Sequence, residues 1–179
     1  GREQHFHAPR SVDALADVRL KHPQARLLAG STDVGLWVNK QFRELGDIVY
    51  LGDVSELRDI KPRADGSLLI SAGAPLEDAW AALAARWPEL QELWLRFAGP
   101  PVRHAGTLGG NLANGSPIGD GAPALIALNA SLVLRRGTEQ REMPLEQFYV
   151  DYMKNRLEPG EWLQAVIIPP QPASQHLRA

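Results

Sequence analysis

The 179-residue sequence contains no cysteine. This absence excludes disulfide bonds, zinc sites built from thiolates and any iron–sulfur cluster held by this chain itself. The five histidines show no metal-ligand spacing either, so we predict no metal site in the chain. A reducing, cytoplasmic setting fits a chain without thiols.

Two further features are missing: an excess of one charge and a long apolar run. Lys and Arg number 19 against 21 Asp and Glu, and no basic face or charged block stands out. No apolar run reaches the ~18 residues of a membrane-spanning helix, and no secretory signal is recognisable. We therefore expect neither nucleic acid nor a membrane as a partner.

The ends of the sequence indicate a piece of a larger polypeptide. It begins at Gly1 without methionine and closes on a proline-rich segment, IIPPQPASQHLRA. Within it we predict two lobes, a βαβ lobe over residues 1–60 and a mixed or antiparallel lobe over residues 61–170. Residues 171–179 would then be a linker that leaves the second lobe.

Local patterns supply the elements of both lobes and predict an α+β fold. Ser11 is placed to cap a helix over residues 12–21, and the buried strands ARLLAG and DIVYLGD flank a short helix in VGLWVNK. A hairpin around Asp65-Gly66, a second hairpin from SLVLRRG and EQREMPL, and a final strand in EWLQAVIIP follow. Further helices are predicted with Pro75 at the first position, from Pro88 to about Phe97, and in GAPALIALNA.

Two glycine-bearing segments are the strongest candidates for a binding site: LLAGSTDVG at residues 27–35 and RHAGTLGGNLANGSPIGD at residues 103–120. Each combines glycine with Ser, Thr, Asn or Asp ahead of a possible helix. Glycine lets a ligand approach the backbone closely, and consecutive N–H groups form a concave anion site. No Lys or Arg lies between Ala105 and Asp120, so neutral donors would have to bind a phosphate there.

These patterns alone leave two interpretations open. Either segment could be an ordinary tight turn, whereas the pair, one in each lobe, suits a pyrophosphate that lies between the lobes. The chain has no GxxxxGK motif followed by Ser or Thr. GDGAPA at residues 119–124 matches the dinucleotide fingerprint only formally, because no strand precedes it and Pro123 interrupts it.

Three longer segments carry a resemblance: LLAGSTDVGLWV, RFAGPPVRHAGTLGGNLANGSPIGDGAPAL and FYVDYMKNRLEPGEWLQAVIIP. In order and spacing they resemble the FAD-binding domain of the xanthine dehydrogenase family of molybdo-flavoenzymes. The resemblance implies the two-lobed FAD-binding fold shared with carbon monoxide dehydrogenase and, more distantly, with vanillyl-alcohol oxidase. GSTDVGLWVNK favours the xanthine dehydrogenase branch over the carbon monoxide dehydrogenase branch.

The resemblance also implies which residues contact FAD, and it implies no catalytic acid or base in this chain. The implied cofactor-binding residues are Leu27, Leu28, Ala29, Gly30, Ser31, Thr32, Asp33, Val34, Phe97, Thr107, Leu108, Gly109, Gly110, Asn111, Asp120, Tyr152 and Leu163. The two glycine-bearing segments would surround the pyrophosphate with backbone amides. Tyr152 matches an aromatic beside the flavin and the nicotinamide.

Several of these residues also have a structural interpretation. Phe97 completes an apolar helix stripe, and Asp120 could cap the helix that follows it. Leu163 lies in a strand that must face a core, and Tyr152 could be a half-buried surface aromatic. Asp33 and Asp120 would oppose an anion unless they bind hydroxyl or ring N–H groups.

For function, the resemblance implies an oxidoreductase in which electrons reach FAD through iron–sulfur clusters and pass to NAD. Those clusters and a molybdenum cofactor would belong to partner domains or subunits of the same hetero-oligomeric enzyme. Residues 171–179 would lead toward a C-terminal flavin subdomain outside this sequence. The alternatives are a flavin subunit of the carbon monoxide dehydrogenase type or another molybdenum hydroxylase, a stand-alone flavin reductase, and a non-catalytic nucleotide-binding module.

Overall fold

Two sheets, one parallel and one antiparallel, organise the chain in the computed structural model, which describes residues 3–116 and 119–170. The helices are α1 (Val12–Lys21), α2 (Val34–Gln41), α3 (Leu76–Arg86), α4 (Gln91–Arg96), α5 (Pro100–Ala105), α6 (Leu108–Ala113) and α7 (Gly121–Ala127). The strands are β1 (Phe6–His7), β2 (Arg26–Leu28), β3 (Ile48–Tyr50), β4 (Ile60–Pro62), β5 (Leu68–Ser71), β6 (Ser131–Arg136), β7 (Glu139–Pro144), β8 (Tyr149–Asp151), β9 (Lys154–Asn155) and β10 (Trp162–Ile168). None of the described helices is long and apolar enough to cross a bilayer.

The first lobe is built on a parallel sheet in the order β1–β3–β2. The central strand is β3, where Ile48 pairs with Phe6 on one side and with Arg26 on the other. Because α2 connects β2 to the parallel strand β3, the predicted βαβ unit is confirmed. β1 was not predicted, since a two-residue strand carries no periodicity.

Helix α1 of the first lobe has the predicted bounds. Ser11 caps it by accepting a hydrogen bond from the Ala14 N–H at 3.1 Å. Leu15 is fully buried and packs in the same core as Val49. Trp162 of β10 also lies in this core, although β10 belongs to the sheet of the second lobe. The two lobes are therefore interlocked by one large side chain.

The second lobe is built on an antiparallel sheet in the order β4–β5–β10–β6–β7. Both predicted hairpins are present, as β4–β5 and β6–β7, and β10 pairs with β5 and β6 between them. Strand residues Ile70, Leu132 and Val166 share a core with Trp80 of α3 and Leu112 of α6. The chain passes from the parallel to the antiparallel sheet at β4, which begins at Ile60. The lobe boundary predicted at residue 60 is close to this point and stays a prediction.

Two predicted helix starts were wrong. Helix α3 begins at Leu76, because Pro75 has an extended backbone with ψ 143° and bridges to Thr107. The segment that starts at Pro88 is first a 3-10 turn, Pro88–Leu90, and α4 follows from Gln91. Phe97 lies just after the end of α4, where the backbone is extended.

The second glycine-bearing segment is helical over residues 103–105 and 108–113, so it is not an ordinary tight turn. Helix α5 ends in it, and α6 follows after Gly106 and Thr107. Leu108 and Leu112 are fully buried on one side of α6 and so hold it against the core. Glycines at two of the six helical positions concealed this short apolar pattern. Residues 117–118 of the segment and the predicted linker 171–179 lie outside the described residues.

Candidate functional site

A cavity of about 610 Å³ lies where the two glycine-bearing segments meet. This volume is within the ~300–1,000 Å³ that is common for small-molecule sites. Apart from Leu28, Leu108 and Tyr152, every predicted site residue lines the cavity. The predicted residues that line it are Leu27, Ala29, Gly30, Ser31, Thr32, Asp33, Val34, Phe97, Thr107, Gly109, Gly110, Asn111, Asp120 and Leu163.

The three remaining residues lie elsewhere. Leu28 is within β2 and pairs with Tyr50, and Leu108 is fully buried in the core of the second lobe. Tyr152 follows β8 in the β8–β9 hairpin and is 70% exposed. Contacts between these side chains and a cofactor stay predictions.

The first-lobe wall of the cavity is the turn between β2 and α2, residues 29–33. Ser31 has φ 60°, in the left-handed region that non-glycine residues rarely adopt. Asp33 stands at the N-cap of α2 but makes no capping hydrogen bond. Asp33 occupies the N-cap position, yet its carboxylate accepts no hydrogen bond from the first N–H groups of α2.

Instead, Asp33 reaches the second lobe. Its Oδ2 accepts a hydrogen bond from Asn114 Nδ2 at 2.6 Å, and both residues line the cavity. The bond joins the two glycine-bearing segments across 81 positions of sequence. Part of the negative charge of Asp33 is thereby compensated by an amide donor, which reduces its repulsion of an anion in the cavity.

The glycines of the site have different roles. A Cβ on Gly30 would collide with the Ala105 carbonyl oxygen, so this glycine permits contact between the lobes. A Cβ on Gly109 would lie 2.8 Å from the Ala72 carbonyl oxygen, so this glycine permits α6 to pack on the second-lobe core. Among the described glycines that line the cavity Gly110 is the exposed one, and a Cβ there would meet Thr107 Oγ1 at 3.0 Å; a Cβ on Gly119 would lie 3.2 Å from the Ser116 carbonyl oxygen. Gly110 is thus the glycine at which a ligand can approach the backbone.

The second-lobe wall is the first part of α6. Thr107 caps this helix by accepting a hydrogen bond from the Gly110 N–H at 3.2 Å. Asn111 Oδ1 is buried without a hydrogen-bond partner. It lies against Gly121, so residue 121 has no space for a Cβ. This oxygen is closed off from the cavity space, so it is an unpaired acceptor within the packing of α6 against α7.

Phe97 and Ala98 form a further part of the wall. Phe97 is 5% exposed and packs on Trp80 with ring centroids 5.2 Å apart, yet it also lines the cavity. Phe97 is therefore a core residue that also reaches the cavity wall, and its contact with a cofactor stays a prediction. Arg103 fixes the segment by donating to the carbonyl oxygens of Phe97 and Ala98, at 3.1 and 3.2 Å, while it forms an ion pair with Glu77.

Asp120 occupies the N-cap position of α7 but makes no capping hydrogen bond, so the capping interpretation of its side chain was wrong. Sequence reasoning missed four polar or aromatic residues of the lining, Arg26, Trp37, Asn114 and Ser116. Asn114 could have been found, because it lies within the second segment, only three positions after Asn111. Arg26 and Trp37 flank the first segment and carry no motif of their own.

The charges of the lining are few. Among the described residues of the wall, the charged side chains are Arg26, Asp33 and Asp120. In the described ranges no group of three His, Asp or Glu residues is placed to hold a metal ion. Neutral backbone and hydroxyl groups, apolar walls and one cation make this a site for an organic ligand.

Comparison with known proteins identifies the ligand class. The family model described as the FAD binding domain in molybdopterin dehydrogenase matches residues 2–171. The chain belongs to this family. As an FAD-binding domain, it is 33% identical over 166 residues to the xanthine dehydrogenase FAD-binding subunit of Escherichia coli, with 90% of this chain and 55% of that subunit covered. It is 30% identical over 175 residues to the xanthine dehydrogenase of Emericella nidulans, covering 92% of this chain and 13% of that protein.

Carbon monoxide dehydrogenase is a similarly near relative. The medium chain from Hydrogenophaga pseudoflava is 31% identical over 169 residues, which cover 92% of this chain and 58% of that one. A crystal structure of this enzyme, lacking the Mo-pyranopterin moiety of its cofactor, superposes with a TM-score of 0.86 at 27% identity, over 96% of this chain and 61% of that chain. Quinoline 2-oxidoreductase from Pseudomonas putida 86 gives a TM-score of 0.85 at 26% identity, over 96% of this chain and 60% of that chain. The two-lobed FAD-binding fold is confirmed. The FAD-binding domain spans less than two thirds of each relative named here.

The residues of the cavity fit FAD. Gly110 offers exposed backbone, and Ser31 and Thr32 are exposed hydroxyl residues at the turn. Phe97 supplies an aromatic edge to the wall. A dinucleotide needs polar contacts at its centre and apolar contacts at its rings, and the lining provides both.

Proposed function

We propose that this domain binds FAD in the described cavity, with the pyrophosphate between the turn at residues 29–33 and the first part of α6. One observation carries the proposal: two segments about seventy residues apart in sequence line a single cavity and supply glycine and hydroxyl groups from both lobes. The family match supports the identity of the ligand.

The residues of the chain would bind and orient the cofactor. Ser31 and Thr32 would donate to the pyrophosphate, which would lie against the exposed backbone at Gly110. Phe97, held by Trp80 and by the carbonyl contacts of Arg103, would limit the position of an aromatic ring. No residue of the cavity is assigned a proton-transfer role, because the reacting atoms belong to the cofactor.

For the whole enzyme, we propose a xanthine dehydrogenase-like molybdenum hydroxylase in the cytoplasm. When bound, FAD would supply two-electron chemistry, accepting electrons from iron–sulfur clusters of partner domains or subunits and releasing them to NAD. The E. coli subunit, 33% identical, supports this assignment. A flavin subunit of the carbon monoxide dehydrogenase type is the second candidate, supported by the 31% identical medium chain.

The ligand is tested with the purified protein freed of bound nucleotide. We expect added FAD to be retained through gel filtration, with a resolved visible flavin spectrum and quenched flavin fluorescence. ADP alone should bind more weakly, because it contacts part of the cavity. A colourless protein that binds ADP as tightly as FAD would contradict the proposal and would instead support a nucleotide-binding module.

The electron acceptor is tested separately, in the holoenzyme. Under anaerobic conditions we expect NADH to bleach the visible absorption of the bound flavin, and NAD to restore the absorption after chemical reduction. A flavin that stays oxidised with NADH, yet is reduced by dithionite, would contradict NAD as the acceptor. That result would leave the FAD site itself unaffected.

A further inference from the structure

We propose that a second, smaller pocket binds a small oxyanion such as sulfate or phosphate, held by Arg58, His104 and the hydroxyl group of Tyr50. This pocket lies where the two lobes meet and has a volume of about 200 Å³. It is called the junction pocket below. The inference concerns a site outside the cavity assigned to FAD and does not depend on the proposed FAD function.

The junction pocket adjoins the FAD cavity at the contact between the lobes. Ala29, Gly30 and Thr107 line both spaces, whereas His104 and Ala105 of α5 line the junction pocket alone. A Cβ on Gly30 would overlap the Ala105 carbonyl oxygen, so the lobes are in direct contact at this point. An ion in the junction pocket would therefore touch both lobes beside their contact.

The charge of the junction pocket is opposite in character to that of the FAD cavity. Arg58 and His104 line it, one from each lobe, and no acidic side chain of the described residues does. The FAD cavity, by contrast, includes the carboxylates of Asp33 and Asp120. Positive groups without a counter-charge in a partly enclosed space attract an anion.

The acidic neighbours of Arg58 in sequence are engaged elsewhere. Glu56 Oε2 accepts a hydrogen bond from the Val12 N–H at 3.1 Å, and Asp59 Oδ2 pairs with Lys61 Nζ at 2.6 Å. Arg58 itself forms no ion pair with another described residue. Its charge is therefore available to a ligand.

The donor groups of the junction pocket are partly held in place. Arg58 Nη2 donates to the Gly52 carbonyl oxygen at 2.9 Å, which fixes the guanidinium while its other N–H groups have no partner among the described residues. The Tyr50 hydroxyl lies against Gly52, where a Cβ would overlap it, and makes no hydrogen bond within the described part of the chain. A planar guanidinium and a hydroxyl group are donors that match the oxygens of an oxyanion.

The size of the junction pocket favours an ion over a nucleotide. Its volume of about 200 Å³ compares with about 610 Å³ for the FAD cavity. Sites for drug-sized organic ligands commonly measure ~300–1,000 Å³. A tetrahedral oxyanion with a few water molecules suits the smaller space.

The test is a titration of the purified protein with sodium sulfate, followed by the NMR signals of backbone amides. Sodium chloride keeps the ionic strength constant, so that general screening does not change. We expect the signals of Gly52, Gly73 and His104 to shift saturably, with a dissociation constant on the order of 10 mM or below. The shifts should be the same with FAD present, because the ion does not occupy the FAD cavity.

Arg58→Gln and Arg63→Gln remove the same charge at two exposed positions. Arg63 is the matched control, because it lines neither the junction pocket nor the FAD cavity. Arg58→Gln should weaken sulfate binding about tenfold or more, since it removes a charge-assisted contact. Arg63→Gln should bind sulfate like the wild type.

Two further variants test the other donors and do not alter Arg58. Tyr50→Phe keeps the ring that stacks on Phe6, at a centroid distance of 6.0 Å, and removes only the hydroxyl group. His104→Gln changes an exposed side chain of α5. Each should weaken sulfate binding about threefold to tenfold, the usual effect of one lost hydrogen bond. Urea midpoints measured without sulfate show whether each variant is folded.

Three results would overturn the inference. The first is the absence of saturable shifts in the wild type. The second is an equal loss of sulfate affinity in Arg58→Gln and Arg63→Gln, because the ion would then respond only to the net charge. The third is displacement of sulfate by FAD together with normal binding in Arg58→Gln, which would place the ion in the FAD cavity. None of these results bears on whether the protein binds FAD.

Discussion

At the scale of single residues, the hydrogen bond between Asp33 and Asn114 decides how the cavity tolerates an anion. Asp33 is a carboxylate in a wall expected to hold a pyrophosphate, which is electrostatically unfavourable. The 2.6 Å bond from Asn114 Nδ2 compensates it and also ties the two lobes together at the cavity. Asp33 is therefore better explained as a link between the segments than as a contact for phosphate.

This explanation predicts the direction in which FAD affinity changes when the bond is removed. Asn114→Ala should weaken FAD binding by about 1 kcal/mol, because Asp33 is left as an uncompensated negative charge. Adding Asp33→Asn to Asn114→Ala should restore part of that loss, because it removes the charge. FAD titrations of the two single variants and the double variant give the coupling energy. Strictly additive effects would show that the bond is unrelated to cofactor affinity.

Gly30 gives a second prediction at this scale. Gly30→Ala should lower the free energy of unfolding by about 1–3 kcal/mol, because its Cβ would overlap the Ala105 carbonyl oxygen at the contact between the lobes. Gly35→Ala is the matched control: its Cβ would meet only Ser31 Oγ, at 3.3 Å, and alanine favours the helix. Urea denaturation of both variants makes the comparison. Equal urea midpoints for Gly30→Ala and Gly35→Ala would show that the close contact of Gly30 with Ala105 does not limit stability.

At the scale of elements, the β8–β9 hairpin supports the helix that carries Gly110. The Tyr149 hydroxyl donates to the Leu112 carbonyl oxygen at 3.0 Å, and Asn155 Nδ2 donates to the Ala113 carbonyl oxygen at 2.9 Å. These bonds pair the last carbonyl groups of the helix, of which Leu112 O also accepts from the Gly115 N–H at 3.2 Å. The hairpin thereby fixes the C-terminal end of α6.

The support by Tyr149 predicts a dependence of stability on pH. Burial raises the pKa of Tyr149 to about 12, above the value of about 10 for a tyrosine in an unfolded chain. Its contribution to stability is therefore complete below about pH 10 and is lost as the pH rises toward 12. Tyr149→Phe should cost about 1 kcal/mol at neutral pH, and this difference should shrink above pH 10.

Urea midpoints of the wild type and Tyr149→Phe between pH 7 and about pH 11 measure this effect. The control is Tyr152→Phe, because Tyr152 is exposed in the same hairpin. Tyr152→Phe should leave the urea midpoint at neutral pH unchanged, because the exposed ring holds no part of α6. A constant difference between Tyr149→Phe and the wild type across this range would show that ionisation of Tyr149 is not linked to folding.

The elements that could be predicted from the sequence were those with complete local signals. Ser11 and the residues after it specify α1, and the turn at Asp65-Gly66 specifies a hairpin, because capping and turn chemistry are local. Helix α6 could not be predicted in this way. Its six residues include two glycines, and it is stable because Leu108 and Leu112 enter a core made by distant strands.

At the scale of the whole molecule, Trp162 explains why the two lobes hold a fixed cavity between them. It belongs to β10 of the antiparallel sheet but is fully buried in the first-lobe core with Leu15 and Val49. Sequence patterning marked Trp162 only as part of a strand. The lobe into which its side chain points depends on contacts that no local pattern contains.

Trp162→Ala should therefore lower the free energy of unfolding by about 3–5 kcal/mol and destabilise both lobes together. Trp162→Phe should cost about 1.5 kcal/mol or less, because it keeps most of the volume and removes a buried indole N–H that has no hydrogen-bond partner. Urea unfolding followed by circular dichroism and by flavin release makes the measurement. Separate transitions of the two lobes in the wild type would contradict the interlocked core.

The same division between local and distant information applies to the cavity. The two glycine-bearing segments could be recognised as partners, and they do line one cavity. Arg26 and Trp37 could not be assigned to it, because their relevance arises only when the βα unit and α6 face each other. Tyr152, assigned to the site by resemblance, lies outside the cavity lining.

The most direct measurement of the central claim is the FAD affinity of Gly110→Val compared with the wild type. A Cβ at residue 110 meets Thr107 Oγ1 at 3.0 Å, so the urea midpoint of the variant is measured beside its affinity to separate a loss of stability from a loss of binding. If the backbone at Gly110 contacts the FAD pyrophosphate, the wild type will bind FAD and the variant will bind it at least about tenfold more weakly. Equal affinity in both proteins, or no FAD binding by the wild type, would contradict this claim.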